Sequence, residues 1–228
     1  MEIALLTGDK NCKSVVELST LLDCISIYSS HIVIPNTTDV VFVLNYQHII
    51  PKKYFNKFKF GMIIIHSSDL PKGRGWAPIY NSIHNGDTEY VLTALKIDEK
   101  VDRGDILMKL RINKPIYISN NNLREIDESG TVLLINELIR WLKKTPFLCG
   151  KPQNEGEASY NKKRTLIDNK LDLTHSIGDV LLDVLATNQD YPAFIEMNGE
   201  KIFISAVSEK YYYLNDLKYS LENFLAYP

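Results

Sequence analysis

The amino-acid sequence predicts an open, Rossmann-like, mostly parallel α/β sheet with a small C-terminal α+β appendage. Two observations predict the sheet. Short β-branched apolar runs alternate with segments of helical period up to about residue 148, the pattern of βαβ units. One of those runs, Val40 to Leu44, is apolar at every position, as a strand covered on both faces must be. A third observation predicts the appendage. The polar stretch 150–163, which holds Pro152 and Gly156, reads as a linker, and a shorter helix-and-hairpin pattern follows it. On sequence, the chain therefore divides into a domain at 1–149 and a linker plus helix/hairpin subdomain at 150–228.

The elements follow in order. Glu2 to Thr7 reads as the first strand, closed by Gly8. Lys13 to Leu22 has helical spacing, with Val15, Val16, Leu18, Leu21 and Leu22 apolar. Cys24 to Tyr28 and Ile32 to Ile34 are short β-rich pieces, and Pro35 to Thr38 is a turn before the strand Asp39 to Leu44. Pro51 to Phe58 reads as an amphipathic helix with proline in its first turn. Met62 to Ile65 is a buried strand ending on His66. A loop rich in Pro and Gly follows, then a short helical patch after Pro78, a β-rich run from Tyr90 to Ile97 and an acidic loop from Asp98 to Asp105. Asp105 to Arg111 is a further strand, and Pro115 to Ile118 is extended. Asn121 to Lys144 is the longest helical pattern, striped by Leu133, Leu134, Leu138, Ile139 and Leu142. Gly130 is expected to divide it and Pro146 to stop it. In the appendage, His175 to Thr187 is helical, Phe194 to Ser208 is a hairpin turning at Asn198-Gly199, and Leu214 to Leu225 is a closing helix.

Composition bounds the function. The net charge of -2 gives no global reason to bind nucleic acid, because that affinity is mostly phosphate neutralisation. Cys12, Cys24 and Cys149 show no CxxC spacing and read as reduced thiols of a cytoplasmic protein. The start, MEIALLTGDK, is expected to be neither a signal peptide nor a membrane span. The histidines are isolated, so no metal site is expected. Gly73 and Gly75 lack the GKS/T context of a P-loop. Tyr211, Tyr212 and Tyr213 read as core or interface packing.

Two motifs carry a resemblance. HSSDLPKGRGWAPI at 66–79, followed by VDRGDIL at 101–107, resembles the signature of the folate-dependent formyltransferases. That family includes the methionyl-tRNA, glycinamide ribonucleotide and amino-sugar N-formyltransferases. His66, Ser68, Leu70, Pro71, Gly75, Pro78, Asp102, Gly104 and Asp105 fall on its pattern, and the family's Asn two before the His is Ile64 here. The loop wording SDLPKGRGWAP looks closer to the amino-sugar and peptide-synthetase-type branch than to the tRNA branch. KKRTLIDNKLDL and YPAFIEMNGEKIFI resemble the start of the family's C-terminal region, so the match runs over roughly residues 39–207. The resemblance implies the formyltransferase fold. It implies 10-formyltetrahydrofolate as formyl donor without a metal, and the amine of a nucleotide-linked amino sugar as acceptor, a step of polysaccharide biosynthesis.

The chemistry assigns roles. An amine attacks the formyl carbon, and negative charge builds on oxygen in a tetrahedral intermediate. The site must supply a donor to that oxygen and a route for the amine proton. His66 can be the donor; Asp102 can hold its tautomer or take the proton through water. Ile64 cannot donate; Asn45, at the end of the preceding strand, is a candidate replacement, and a backbone N–H is the other. By resemblance, Tyr46, Gln47, His48, Ile49 and Ile50 line the folate pterin, with Val101 on the other side. Ser68, Lys72, Arg74 and Trp76 face the acceptor, where two cations and an indole suit a phosphate and a ring. Expected partners are a small nucleotide-sugar substrate and neither nucleic acid nor membrane, with a homodimer as one oligomeric option. Two other readings stay open: a methionyl-tRNA formyltransferase, and a non-catalytic folate- or sugar-nucleotide-binding relative motivated by Ile64.

Overall fold

The computed structural model describes residues 1–22, 25–145, 147–204 and 214–223. Its strands are β1 (Ile3–Thr7), β2 (Ile25–Tyr28), β3 (Val40–Leu44), β4 (Met62–His66), β5 (Arg74–Gly75), β6 (Glu89–Lys96), β7 (Ile106–Asn113), β8 (Tyr160–Asn161), β9 (Ala193–Met197), β10 (Glu200–Ile204) and β11 (Tyr219–Asn223). The α-helices are α1 (Lys13–Leu21), α2 (Pro78–His84), α3 (Asn120–Leu142) and α4 (Ile177–Ala186). Seven strands make one open sheet in the order β11-β7-β6-β4-β3-β1-β2. From β2 to β4 all pairings are parallel, and β6 and β11 run against the rest. The predicted open α/β sheet is present.

Every residue of β1 and β3 is buried, because alternate side chains feed two different cores. Ile3, Leu5, Val40, Phe42 and Leu44 pack toward the side that holds α1 and α3. Ala4, Leu6, Val41 and Val43 pack on the opposite face against Ile34, Phe58 and Met62. Among the described residues, no long helix covers that second face. Half-buried Tyr46, Ile50 and Tyr54 close it, so the expected helix Pro51–Phe58 is reduced to one 3-10 turn, Lys52–Tyr54. Phe58 and Phe60 are buried in the cores on opposite faces of the sheet, so the chain crosses from one face to the other through turns there instead of laying a helix along one face. Ile32–Ile34 is likewise a 3-10 turn, His31–Val33, capped by the Ser30 hydroxyl rather than a β piece. Pro115–Ile118 forms no strand and leads into α3.

Gly130 does not divide α3, which runs unbroken from Asn120 to Leu142. A Cβ there would lie 2.6 Å from Leu92 Cδ1 and 3.3 Å from Ile112 Cδ1. The glycine lets helix and sheet approach closely. The expected closing helix Leu214–Leu225 is instead a 3-10 turn, Leu214–Asp216, followed by β11, which pairs antiparallel with β7 as Leu221↔Leu110. Tyr-Ser-Leu-Glu at 219–222 alternates apolar and polar, and period two fits a sheet edge. The hairpin β9–β10 turns at Asn198 and Gly199, both with positive φ (51° and 82°), as a two-residue primed turn requires. Pro146, the tyrosines 211–213 and the expected hairpin end at 205–208 lie outside the described residues.

Candidate active site

His66 is the last residue of β4, opposite Thr93 of β6. Its position follows from the β-branched run before it, which locks the strand into the sheet centre. Ser67 donates to Asp127 of α3 at 2.5 Å, and Tyr90 donates to the same carboxylate oxygen at 2.7 Å. The strand end is thus tied to the helix layer, and burial pushes the Asp127 carboxyl up. The loop that follows folds back over the strand. Thr93 donates to the Ser68 carbonyl at 2.6 Å, Ser68 donates to the Lys72 carbonyl at 2.9 Å, and Leu70 is fully buried against Leu95 and Ile106.

That return brings the Gly73 carbonyl within 3.0 Å of His66 Nε2. A carbonyl only accepts, so Nε2 carries a proton. Nδ1 then faces Asp102 Oδ1 at 3.7 Å, an ion-pair rather than a hydrogen-bond distance. Both side chains are buried. The second carboxylate oxygen of Asp102 accepts from the Gly75 N–H at 2.9 Å. Asp102 itself has φ of 57°, a left-handed conformation that a short polar side chain tolerates. Gly104 is required by space: a Cβ there would sit 1.8 Å from the Lys96 carbonyl oxygen. The structure therefore brings together the two residues on which the sequence reading placed the chemistry.

Arg74 was expected against an acceptor phosphate and is not free to take one. It is fully buried, and all five of its N–H groups are spent. They go to Gln153 Oε1 (3.1 and 2.7 Å), to both oxygens of Glu155 (3.1 and 2.8 Å) and to the Tyr160 hydroxyl (3.0 Å). These partners lie in 150–163, the stretch expected to be a linker. It is bound along its length as a strap. Lys151 exchanges both backbone hydrogen bonds with Ile106 at 2.8 and 2.9 Å, Ser159 accepts from the Gly73 N–H at 2.8 Å, and β8 pairs in parallel with β5. Gln153 and Glu155 were missed because a polar run with Pro and Gly looks solvated. A buried arginine in the preceding loop would have been the signal, and burial is not readable from sequence.

The other predicted positions separate. Ser68 and Lys72 line a groove of about 580 Å³ that continues past the His66 loop between α2 and the start of β6. Its floor includes Asn81, Asn85, Asp87 and Asn161, and burial pushes the Asp87 carboxyl up against the pull of Lys114. Trp76 is half exposed, with the Lys163 ammonium 4.8 Å above its ring. On the other side of β4, Tyr46, Ile50 and Ile64 share one apolar cluster with Ile97. Tyr46 is fixed by His31, whose Nδ1 lies 2.9 Å from the phenol oxygen. Gln47, His48, Ile49 and Val101 are exposed at the rim, and an ion pair between Lys52 and Glu99 links the two rim loops. Asn45 is exposed in a left-handed conformation with φ of 49°. Extending the register Val43↔Ile64 sets it level with His66.

Comparison with known proteins agrees with this fold. Residues 31–126 match the family model described as formyl transferase. A curated methionyl-tRNA formyltransferase from Marinobacter nauticus is 32% identical over 171 residues, 75% of this chain and 54% of that protein. The chain spans about half the length of the curated relatives it matches. HypX from Aquifex aeolicus, solved in complex with tetrahydrofolic acid, superposes with a TM-score of 0.75 at 19% identity over 90% of this chain and 37% of that one. A sugar N-formyltransferase from Shewanella sp. superposes with a TM-score of 0.68 at 18% identity, covering 92% of this chain and 98% of that one. Motif, fold and relatives agree in their likeness to the formyl transferase family, whose model matches residues 31–126, the stretch that holds His66 and Asp102.

Proposed function

We infer that this chain transfers a formyl group from 10-formyltetrahydrofolate to the amine of a nucleotide-linked amino sugar. The observation that carries the reading is the buried His66–Asp102 pair at the carboxyl end of β4, where open α/β sheets keep their ligands. An apolar wall of Tyr46, Ile50, Ile64 and Ile97 lies on one side and suits a flat pterin. A polar groove lies on the other and suits a hydroxylated acceptor. The acceptor nitrogen attacks the formyl carbon, the bond from that carbon to N10 of the folate breaks, and N10 takes a proton as the amine gives one up. His66 stabilises the charge on the formyl oxygen, and Asp102 compensates the imidazolium. Asn45, level with His66, is the candidate second donor in place of the amide lost at Ile64. Lys72 and Trp76 meet the nucleotide.

A second acceptor is favoured by a different observation: the curated relatives at 32% identity are methionyl-tRNA formyltransferases. One assay separates the readings. The purified chain is mixed with 10-formyltetrahydrofolate and either amino-sugar nucleotides or methionyl-tRNA, and tetrahydrofolate release is followed. Turnover is expected with a sugar amine and is expected to fall about 10³-fold or more in His66→Ala and Asp102→Asn, with folding unchanged. Near-native rates in both variants would remove the assignment, and turnover with methionyl-tRNA alone would exchange the acceptor. Donor binding without turnover on any amine would leave the non-catalytic reading motivated by Ile64.

A further inference from the structure

Resting on the formyl-transfer reading, we propose that Gln153 is the positioning residue for Asp102, and that the strap 150–163 sets the turnover of the site through it. Asp102 lies in a loop, not on a strand, and its neighbours Val101 and Lys100 are exposed. Beside the backbone turn from the Arg103 N–H to the Lys100 carbonyl at 3.3 Å, a side-chain amide holds its carbonyl. Gln153 Nε2 donates to the Asp102 carbonyl at 2.9 Å and to the Gly104 carbonyl at 2.8 Å. The orientation of that amide is not a free choice. Its oxygen faces the Arg74 guanidinium at 2.7 and 3.1 Å, and a guanidinium can only donate. The nitrogen must therefore face the two carbonyls, which can only accept.

The same strap, paired through β8 with β5, holds the donor on the other side of the carboxylate. Arg74 immediately precedes Gly75, whose N–H binds Asp102 Oδ2 at 2.9 Å. Arg74 is held by Glu155, and Glu155 also pairs with Arg103 in the Asp102 loop. Gln153 thus connects the residue next to the Gly75 donor with the carbonyls on either side of Arg103. Its side-chain hydrogen bonds go to Arg74, Asp102 and Gly104 rather than to His66, so it acts by fixing where the Asp102 carboxylate stands against the imidazole.

Gln153→Glu tests this. The variant keeps the shape and keeps an oxygen toward Arg74, but it sets a second, unprotonated oxygen against two carbonyls. Hydrogen exchange at 98–105 is expected to quicken about tenfold or more while β1 and β3 stay protected. kcat is expected to fall about 100-fold, the cost of misplacing a catalytic group by about 1 Å, with KM for donor and amine within about twofold of wild type. Gln153→Met, a neutral chain of similar length, is expected to shift both readouts the same way. Unchanged exchange at 98–105, or an unchanged kcat in an active enzyme, would overturn the proposal. So would loss of protection spread evenly through β1 and β3, since that marks a purely structural role. If wild type transfers no formyl group to any amine, the exchange data still decide this proposal, and the reading of function falls by itself.

Discussion

Ile64 stands two residues before His66 and is half-buried between two apolar clusters, against Leu70, Leu95 and Ile106 on one side and Tyr46, Ile50 and Ile97 on the other. An amide placed there would have to find partners among carbon atoms, and a buried unpaired polar group costs about 1–3 kcal/mol. Ile64→Asn is therefore expected to lower the melting temperature and to leave turnover unchanged or reduced. A more than about tenfold gain in turnover, with Asn45→Ala silent, would show that the site lacks only its amide. Gly104→Ala is expected to abolish turnover while β1 and β3 keep their hydrogen-exchange protection, because the added methyl would collide with the Lys96 carbonyl. His66 and Asp102 were legible in the sequence because their motifs are local and their spacing is specific. Arg74 was not. A cation in a Gly-rich loop looks solvent-directed, and the groups that bury it lie 79 to 86 residues downstream.

Elements show the same division. Strands β1, β3 and β4 could be read directly, since a run buried on both faces leaves only one pattern. The closing strand β11 was taken for a helix because five residues are too few to separate period two from period 3.6. In α3, Gly130→Ala gains helix propensity worth about 1 kcal/mol but crowds Leu92, Leu110 and Ile112, and overpacking costs about 1–3 kcal/mol. A net loss of about 1 kcal/mol or more is expected in denaturant titration, and a gain would mean that the sheet side chains yield freely. The strap has a pH signature. Hydrogen bonding from Arg74, supported by Arg103, outweighs desolvation and holds the Glu155 carboxyl down to about 2 from an ordinary 4.5. A depressed carboxylate adds stability that is complete above the ordinary value and is lost as pH falls toward the folded one. Wild type should thus lose more stability than Glu155→Gln between pH 4.5 and about 2, measured by thermal melts at fixed salt.

Across the whole molecule, five strands run one way and two the other, and the long α3 braces the antiparallel half. Period and composition foretold the open sheet, but strand direction depends on how the chain crosses over. The net charge of -2 also belongs to this scale. At physiological salt, binding to bulk RNA is expected to be weaker than micromolar. Tighter binding that falls steeply with salt would move the methionyl-tRNA reading to first place.

The two-residue pairing of β5 with β8 has a meaning in time as well as in space. A ribosome makes His66 early and Asp102 soon after, and by about residue 113 the central strands exist. Yet the Arg74 guanidinium then has none of its four acceptor atoms, since all lie between Gln153 and Tyr160. The nascent sheet would carry an unpaired cation beside an unanchored Asp102 until the strap emerges and folds back. The anchoring of the Asp102 loop is thus completed late in synthesis, after most of the sheet beside it.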